Sequence, residues 1–525
     1  MLTHEAAEEK FQDPTEDAPG KEESREAKEF HTSLSYLILL FISATLIVFC
    51  RNSYNKGNKE GSLMNQSAKF GWKRWLEVIL IGFVGQLAWA VENQYINSWI
   101  YSQTHSATYI TWTTIASAIA ATLTTLFMGV LSDRLGKRKI FIAGGYVIWG
   151  VTVFLFGVMS RKNMEGLAGV ANASLLAGIM NIIVDCVMTF FGSTSNDACF
   201  NAHVTEITNE HNRPKVEAIL SVLPLFAVAA MLGIGGLLGV PTTIKDGEDV
   251  TTFADRSASP WFFFFLIFGA IVTVIGVIAF FIIPKDEIAP SRDQPYFKNI
   301  IYGFRPSTIK KTPLFYITLL AFMFFNIATD SFMPYYIVYF TNPVAQGGVA
   351  LGDNYLLAMI IIMGVASLLV IILGFFMDKI GKLKLLIPGV ILMAAGATIL
   401  FAFTSLVWCI VGGTLLMSGY LIGTAVLGAE LRDQTPDKDV GLFQGVRMVG
   451  VVMLPMIIGS YTSLATFQHS YSEFGETKPS PDKWMFLVTI VACLLALIPA
   501  IWLIIKIKKS TVTAKIQVTD SIEKK

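Results

Sequence analysis

"GVLSDRLGKRK" (residues 129–139) crowds one acid, two glycines and four bases into eleven positions between two long apolar runs. "GFFMDKIGKLK" (residues 374–384) repeats the spacing of glycine, acid, base, glycine and base 245 residues further on. A chain that spends charge twice on the same short connector, in otherwise apolar surroundings, carries an internal duplication. Each copy joins the second and third apolar runs of a set of six, so the pair implies two six-helix halves.

The surrounding composition supports that reading. Of 525 residues, 53% are hydrophobic and 15% charged, and the mean hydropathy is +0.57, which is membrane-protein territory. A net charge of +1 gives no sign of a nucleic-acid partner. The five cysteines are scattered without CxxC spacing or zinc-like His partners, so neither disulfides nor a metal site is expected. "GIGGLLG" (233–239) lies inside an apolar run with no strand before it and reads as helix packing rather than a nucleotide loop. No motif calls for a cofactor or for enzymatic chemistry.

A spanning helix needs about 20 mostly apolar residues. On that measure spans are expected near 76–101, 109–132, 139–159, 171–200, 216–240, 260–284, 314–341, 351–377, 384–404, 406–430, 440–463 and 484–507, a count of twelve. The fold class is therefore an all-α polytopic membrane protein of two six-helix repeats, 76–284 and 314–507, joined by a central loop at 285–313. One further apolar run at 34–50 adds an N-terminal transmembrane helix, preceded by an acidic tail (1–33) that reads as disordered and followed by a basic linker (51–75). A Gly-Ser-Leu-Met junction at 61–64 is compatible with a transporter unit that begins near Met64.

Lys and Arg collect in the connectors at 133–139, 203–215, 285–313, 378–384 and 432–438 and in the tail at 508–525, whereas 102–108 and 341–354 are nearly free of them. The positive-inside rule puts the basic set in the cytoplasm and the acidic N-terminal tail outside. A second echo strengthens the repeat: Ala202, Glu206 and Thr208 after the fourth span match Ala429, Asp433 and Thr435 after the tenth.

The two connectors resemble the loop of the major facilitator superfamily, Gly-x-x-x-Asp-Arg/Lys-x-Gly-Arg/Lys-x-Arg/Lys. Gly129, Asp133, Arg134, Gly136, Lys137 and Lys139 match it in the first half, and Gly374, Asp378, Lys379, Gly381, Lys382 and Lys384 in the second. The resemblance covers nearly everything after residue 70. It implies a cytoplasmic gate: small Gly129 and Gly136 would let the loop approach the opposite half, Asp133 would meet a helix dipole or a base there, and the bases would anchor at lipid headgroups.

Ionisable groups inside a span are costly and point to function. Glu92, Asp185 and Asp330 stand out, Glu92 and Asp330 at equivalent depth in their halves. A carboxyl held in such surroundings can exchange a proton at cellular pH, so the three are read as cation-coupling groups, with Arg447 as the best-placed basic partner and a gating candidate. Gln86, Asn93 and Asn97 on the first span, Asn181, Thr189 and Asn196 on the fourth, and Asn326 on the seventh recur at helical spacing and suggest a hydroxyl-rich ligand. Trp89, one turn before Glu92, offers a flat face to a sugar ring, whereas Trp72, Trp75, Trp112, Trp261, Trp408, Trp484 and Trp502 read as an interfacial belt.

"WAVENQY" (89–95) and "NDACFNAHVTEIT" (196–208) resemble the sucrose/proton symporters, which are similar in turn to the glycoside, pentoside and hexuronide cation symporters. Asn201 stands where the plant sucrose carriers have an arginine, and Asp185 does not align with their span-four acid, so the resemblance implies sugar rather than sucrose. The expected function is uptake of a sugar with a proton or sodium across the plasma membrane by alternating access. A proton-driven exporter of amphipathic compounds uses the same acids, and a membrane sensor or anchor would rest on the tail and first span. The expected partners are thus a small-molecule substrate, a coupling cation and membrane lipid; the oligomeric state is not legible.

Overall fold

The computed structural model describes residues 71–208, 213–238, 240, 250–285, 304–352, 354–435, 440–473 and 476–523. The acidic tail, the additional span and most of the basic linker and central loop lie outside these residues. The chain divides into two compact units. One is Met1–Lys69 with Leu232–Gly239, of which only the end of one helix is described, and the other is Phe70–Met231 with Val240–Lys525, which holds everything below.

The described part is almost entirely helical, because a backbone in lipid must satisfy its own hydrogen bonds. The first half consists of α1 (Trp72–Thr104), α2 (Ala107–Leu135), α3 (Arg138–Phe156), a short α4 (Arg161–Ala168), α5 (Val170–Ile207), α6 (Arg213–Leu237) and α7 (Val250–Ile282). After a one-turn α8 (Pro306–Lys311), the second half runs through α9 (Pro313–Asp330), α10 (Tyr336–Thr341), α11 (Asn354–Ile380), α12 (Leu386–Ala402) and α13 (Leu406–Asp433). It closes with α14 (440–466), a hairpin of β1 (His469–Glu473) and β2 (Glu476–Ser480), and α15 (Trp484–Glu523).

Among the described residues ten helices are long and apolar enough to cross a membrane, against the twelve expected. Two shorter apolar helices, Phe226–Leu237 and Asn354–Val370, fall within the stretches expected as the fifth and eighth spans. Apolar side chains such as Phe281, Ile498 and Val407 remain on the outside, 84%, 67% and 67% exposed, where lipid would cover them.

Within each half the helices approach to backbone contact at glycines. A Cβ on Gly150 of α3 would come within 2.5 Å of the Gly269 carbonyl of α7, and one on Gly396 of α12 within 2.5 Å of the Gly412 carbonyl of α13. Small residues at such crossings are the usual means of helix association in lipid.

Two expectations about elements need correction. The seventh span is not one rod: α9 stops at Asp330, and residues 331–335 form a turn before α10. The fourth span does not end at 200: α5 continues to Ile207 through a π-helical stretch at Ser193–Phe200. The segment between α14 and α15, on which the apolar runs were silent, is the β-hairpin. Trp261 does not join an interfacial belt either. It is 1% exposed and lies between Trp99, 5.5 Å away, and Phe265, 5.9 Å away, inside the first half.

Candidate functional site

Glu92 occupies a second π-helical stretch, Val91–Ile96, set into α1. π-turns carry an extra residue per turn and concentrate at functional sites. Its Oε1 accepts hydrogen bonds from Ser117 Oγ of α2 at 2.7 Å and Thr189 Oγ1 of α5 at 3.2 Å, and the two hydroxyls lie 2.8 Å apart. One turn before Thr189, on the same face of α5, Asp185 is 1% exposed and interacts electrostatically with Glu92. Among the described residues, no hydrogen bond reaches either Asp185 oxygen or Oε2 of Glu92. The Ser117 hydroxyl beside them has a single proton, already directed at Glu92.

Three carboxyl oxygens of α1 and α5, interacting electrostatically beside Ser117 of α2, thus sit buried with no hydrogen-bond partner among the described residues. Burying unpaired charge is prohibitive. Such a cluster is neutralised by taking up a proton, or by a hard cation that accepts oxygen ligands.

Further along α5, Asp197 lies within the Ser193–Phe200 π-stretch and accepts from Ser193 Oγ at 3.0 Å. It interacts electrostatically with Glu92 on one side and with Arg447 of α14 on the other. Arg447 stands just before a third π-stretch, Val449–Met453. The line Asp185, Glu92, Asp197, Arg447 therefore runs from inside the first half to the second.

Asp330 is not part of that line. It ends α9, has no hydrogen bond or ion pair among the described residues, and faces Tyr420 of α13 electrostatically. Gly459 of α14 packs so closely on the Asp330–Ser331 peptide that a Cβ would stand 2.9 Å from both the Asp330 carbonyl carbon and the Ser331 nitrogen. Both acids do sit at helix irregularities, Glu92 in a π-stretch and Asp330 at the end of α9.

Several amides expected to face a ligand are committed within the protein. Asn181 donates to the Met159 and Ala177 carbonyls at 2.9 and 2.8 Å and accepts from Trp99 Nε1 at 3.0 Å. Asn196 donates to Tyr146 Oη at 2.7 Å, in a space that a Cβ on Gly85 would occupy. Asn326 donates to the Val451 carbonyl at 2.6 Å, serving an acceptor in the π-stretch of α14. Asn97 donates to the Asn93 carbonyl at 3.4 Å, and Asn93, which is exposed, donates to the Trp89 carbonyl at 2.9 Å. Gln86 is half-buried, and Trp89 leans on Trp149 with ring centroids 4.9 Å apart.

The charged connectors have a definite structural basis. Gly136 and Gly381 follow α2 and α11 with φ of 61° and 91°, a left-handed backbone suited to glycine that ends each helix. At Gly129, expected to admit the opposite half, an added Cβ would meet only Ala198 of its own half, at 3.9 Å. Gly374 lies within α11, and the side chains of Asp133, Asp378 and Lys379 lie outside the described residues; Arg134 is in the last turn of α2. Arg138, which is buried, bonds Ser132 Oγ and pairs with Glu206 at the end of α5 at 2.9 Å. Lys382 likewise pairs with Glu430 at 2.9 Å and with Asp433 at the end of α13. The acids of the second sequence echo, Glu206 and Asp433, therefore each receive a base from the connector of their own half.

Two helical bundles meeting across a seam, with acids buried between helices, make a membrane carrier and not an enzyme. The chain belongs to the Major Facilitator Superfamily, whose profile matches residues 78–369 and 354–521. No curated protein sequence matches it. Among solved structures, a single-substitution mutant of the nucleoside transporter NupG is similar at 12% identity and a TM-score of 0.56, over 82% of this chain and 98% of that one. The xylose transporter XylE from E. coli, in a partially occluded inward-open conformation, is similar at 13% identity and a TM-score of 0.55, over 80% and 96%. A bacterial homologue of the human lysosomal transporter Spinster is similar at 13% identity and a TM-score of 0.56, over 82% and 95%. At these identities the likeness concerns the fold.

Proposed function

We propose that this transporter carries a sugar together with a cation, proton or sodium, by alternating access. The observation that carries the reading is the set of three buried carboxyl oxygens of Glu92 and Asp185 with no hydrogen-bond partner among the described residues. A site that must be neutralised before it can be buried favours movement only when the cation is aboard, which is the requirement for coupling. The ring of Trp89 and the amides of Gln86 and Asn93 lie within six residues of Glu92 on α1 and offer the flat face and hydrogen-bonding groups that a sugar ring uses. In this reading Asp197 and Arg447 relay the charge state of the first half to the second, and Asp330 is a second coupling acid within the second half. The charged connectors face the cytoplasm of a plasma-membrane protein, where Asp133 and Asp378 act as latches between conformations.

The test is uptake of labelled sucrose, maltose, melibiose and glucose into proteoliposomes under a proton gradient, a sodium gradient or neither. Accumulation driven by one gradient and abolished by Glu92→Gln or Asp185→Asn is expected, with Asp330→Asn impaired. Absence of uptake of any of the sugars under either gradient would overturn the sugar reading.

A further inference from the structure

At the end of the molecule away from the charged connectors, the β1–β2 hairpin of the second half lies against the first half. Lys478 Nζ on β2 donates to the Thr104 carbonyl at 3.3 Å and to Ser174 Oγ, near the start of α5, at 3.2 Å. Thr104 is the last residue of α1, so the lysine places a positive charge on carbonyls that the helix cannot satisfy itself, at the negative end of its dipole. Ser480 Oγ lies 2.8 Å from Tyr101 Oη, and Asn342 Nδ2, beyond α10, donates to both at 3.2 and 2.9 Å. The rings of His105 and Tyr471 stand 5.0 Å apart.

The base of the hairpin is anchored just as firmly in its own half. Asp482, fully buried, accepts from the backbone N–H groups of Gln468 (2.7 Å), His469 (3.1 Å) and Trp484 (3.0 Å), and its Oδ2 is 3.0 Å from His469 Nδ1. Gly347, with φ of 86°, seats against this base; a Cβ there would stand 2.7 Å from His469 Cγ. A piece of chain fixed at its root in one half and hydrogen-bonded at its face to the other resists relative motion of the two.

We propose that the paired strands β1 and β2 are a clasp: they move with the second half, and their release from the α1–α2 corner and the start of α5 is what opens the seam at this end. The clasp holds whichever solute is carried, and its test needs no substrate.

Hydrogen–deuterium exchange of the full chain in nanodiscs, read on residues 101–111 and 335–351, measures opening directly. Lys478→Met removes a charge-assisted contact while leaving the Asp482 anchor in place, and exchange in both segments should rise roughly tenfold. Lys478→Arg should stay near wild type. In Ser174→Cys/Lys478→Cys, joined by a reducible bifunctional thiol linker, exchange should fall below wild type and recover on reduction. Exchange in Lys478→Met equal to wild type, or a linked protein that exchanges as fast as the unlinked one, would overturn the clasp.

Discussion

Ser117 sets the character of the acid cluster more than its modest side chain suggests. It is the shared donor between α1, α2 and α5, and without it Glu92 keeps only the longer bond from Thr189. Ser117→Ala should therefore weaken cation-driven uptake about tenfold, as expected for one hydrogen bond to a charged group, with the thermal midpoint little changed, and Ser117→Thr should restore it. Uptake kinetics against cation concentration, beside a melting curve, separate the two effects. At this scale the acids were legible: Glu92, Asp185 and Asp330 announce themselves as charges in apolar runs. Ser117 was silent because a hydroxyl in a span can bond its own helix as readily as a distant residue. The amides were ambiguous for a related reason, since Asn181 and Asn196 on α5, or Asn326 one turn before Asp330, take the same helical positions whether they face a ligand or a neighbouring helix.

Among the elements, helices and their glycine crossings were easier to read than their irregularities. Apolar length located the rods, and the glycines of the repeated connector marked two helix ends. No composition betrays a π-turn, which needs only one inserted residue, so the stretches carrying Glu92 and Asp197 and the one following Arg447 were invisible in advance. The hairpin was hidden too, because its strands are short, polar and interrupted by Pro479. Packing gives a sharp test at the α3–α7 crossing. Gly150→Ala forces a methyl into the α7 backbone and should cost about 1–3 kcal/mol, lowering the melting temperature in detergent, whereas Gly364→Ala, with open space around it, should be neutral.

For the whole molecule, the seam is held differently at its two ends. Beside the hairpin, Thr111 of α2 and Tyr335 bond at 2.6 Å, and Tyr335 donates to the Ser460 carbonyl of α14 at 2.9 Å. Towards the charged connectors the halves meet through the electrostatic pairing of Asp197 with Arg447 and through close fit: a Cβ on Gly445 of α14 would overlap Leu126 of α2. Gly445→Val should wedge this end open, raising the labelling of seam cysteines from that side several-fold, and Leu126→Ala added to it should reverse the effect. The internal repeat could be read from the connectors alone, but not this asymmetry, because it depends on which half's loops grew a hairpin.

The turn after α9 joins these scales. Asp330 and Tyr335 lie on one short piece of chain whose backbone is tied at Met333 to Thr329 and at Tyr335 to Phe332, each at 3.0 Å. One is an acid within the second half and the other bridges the two halves. Were a solute or ion to bind at the acid and shift the turn, the bridge would be strained or relaxed, and reciprocity would require that tension on the bridge alter affinity at the acid by the same factor. In the proposed cycle the turn would then serve as a transducer, converting occupancy into mechanical load without any intervening loop.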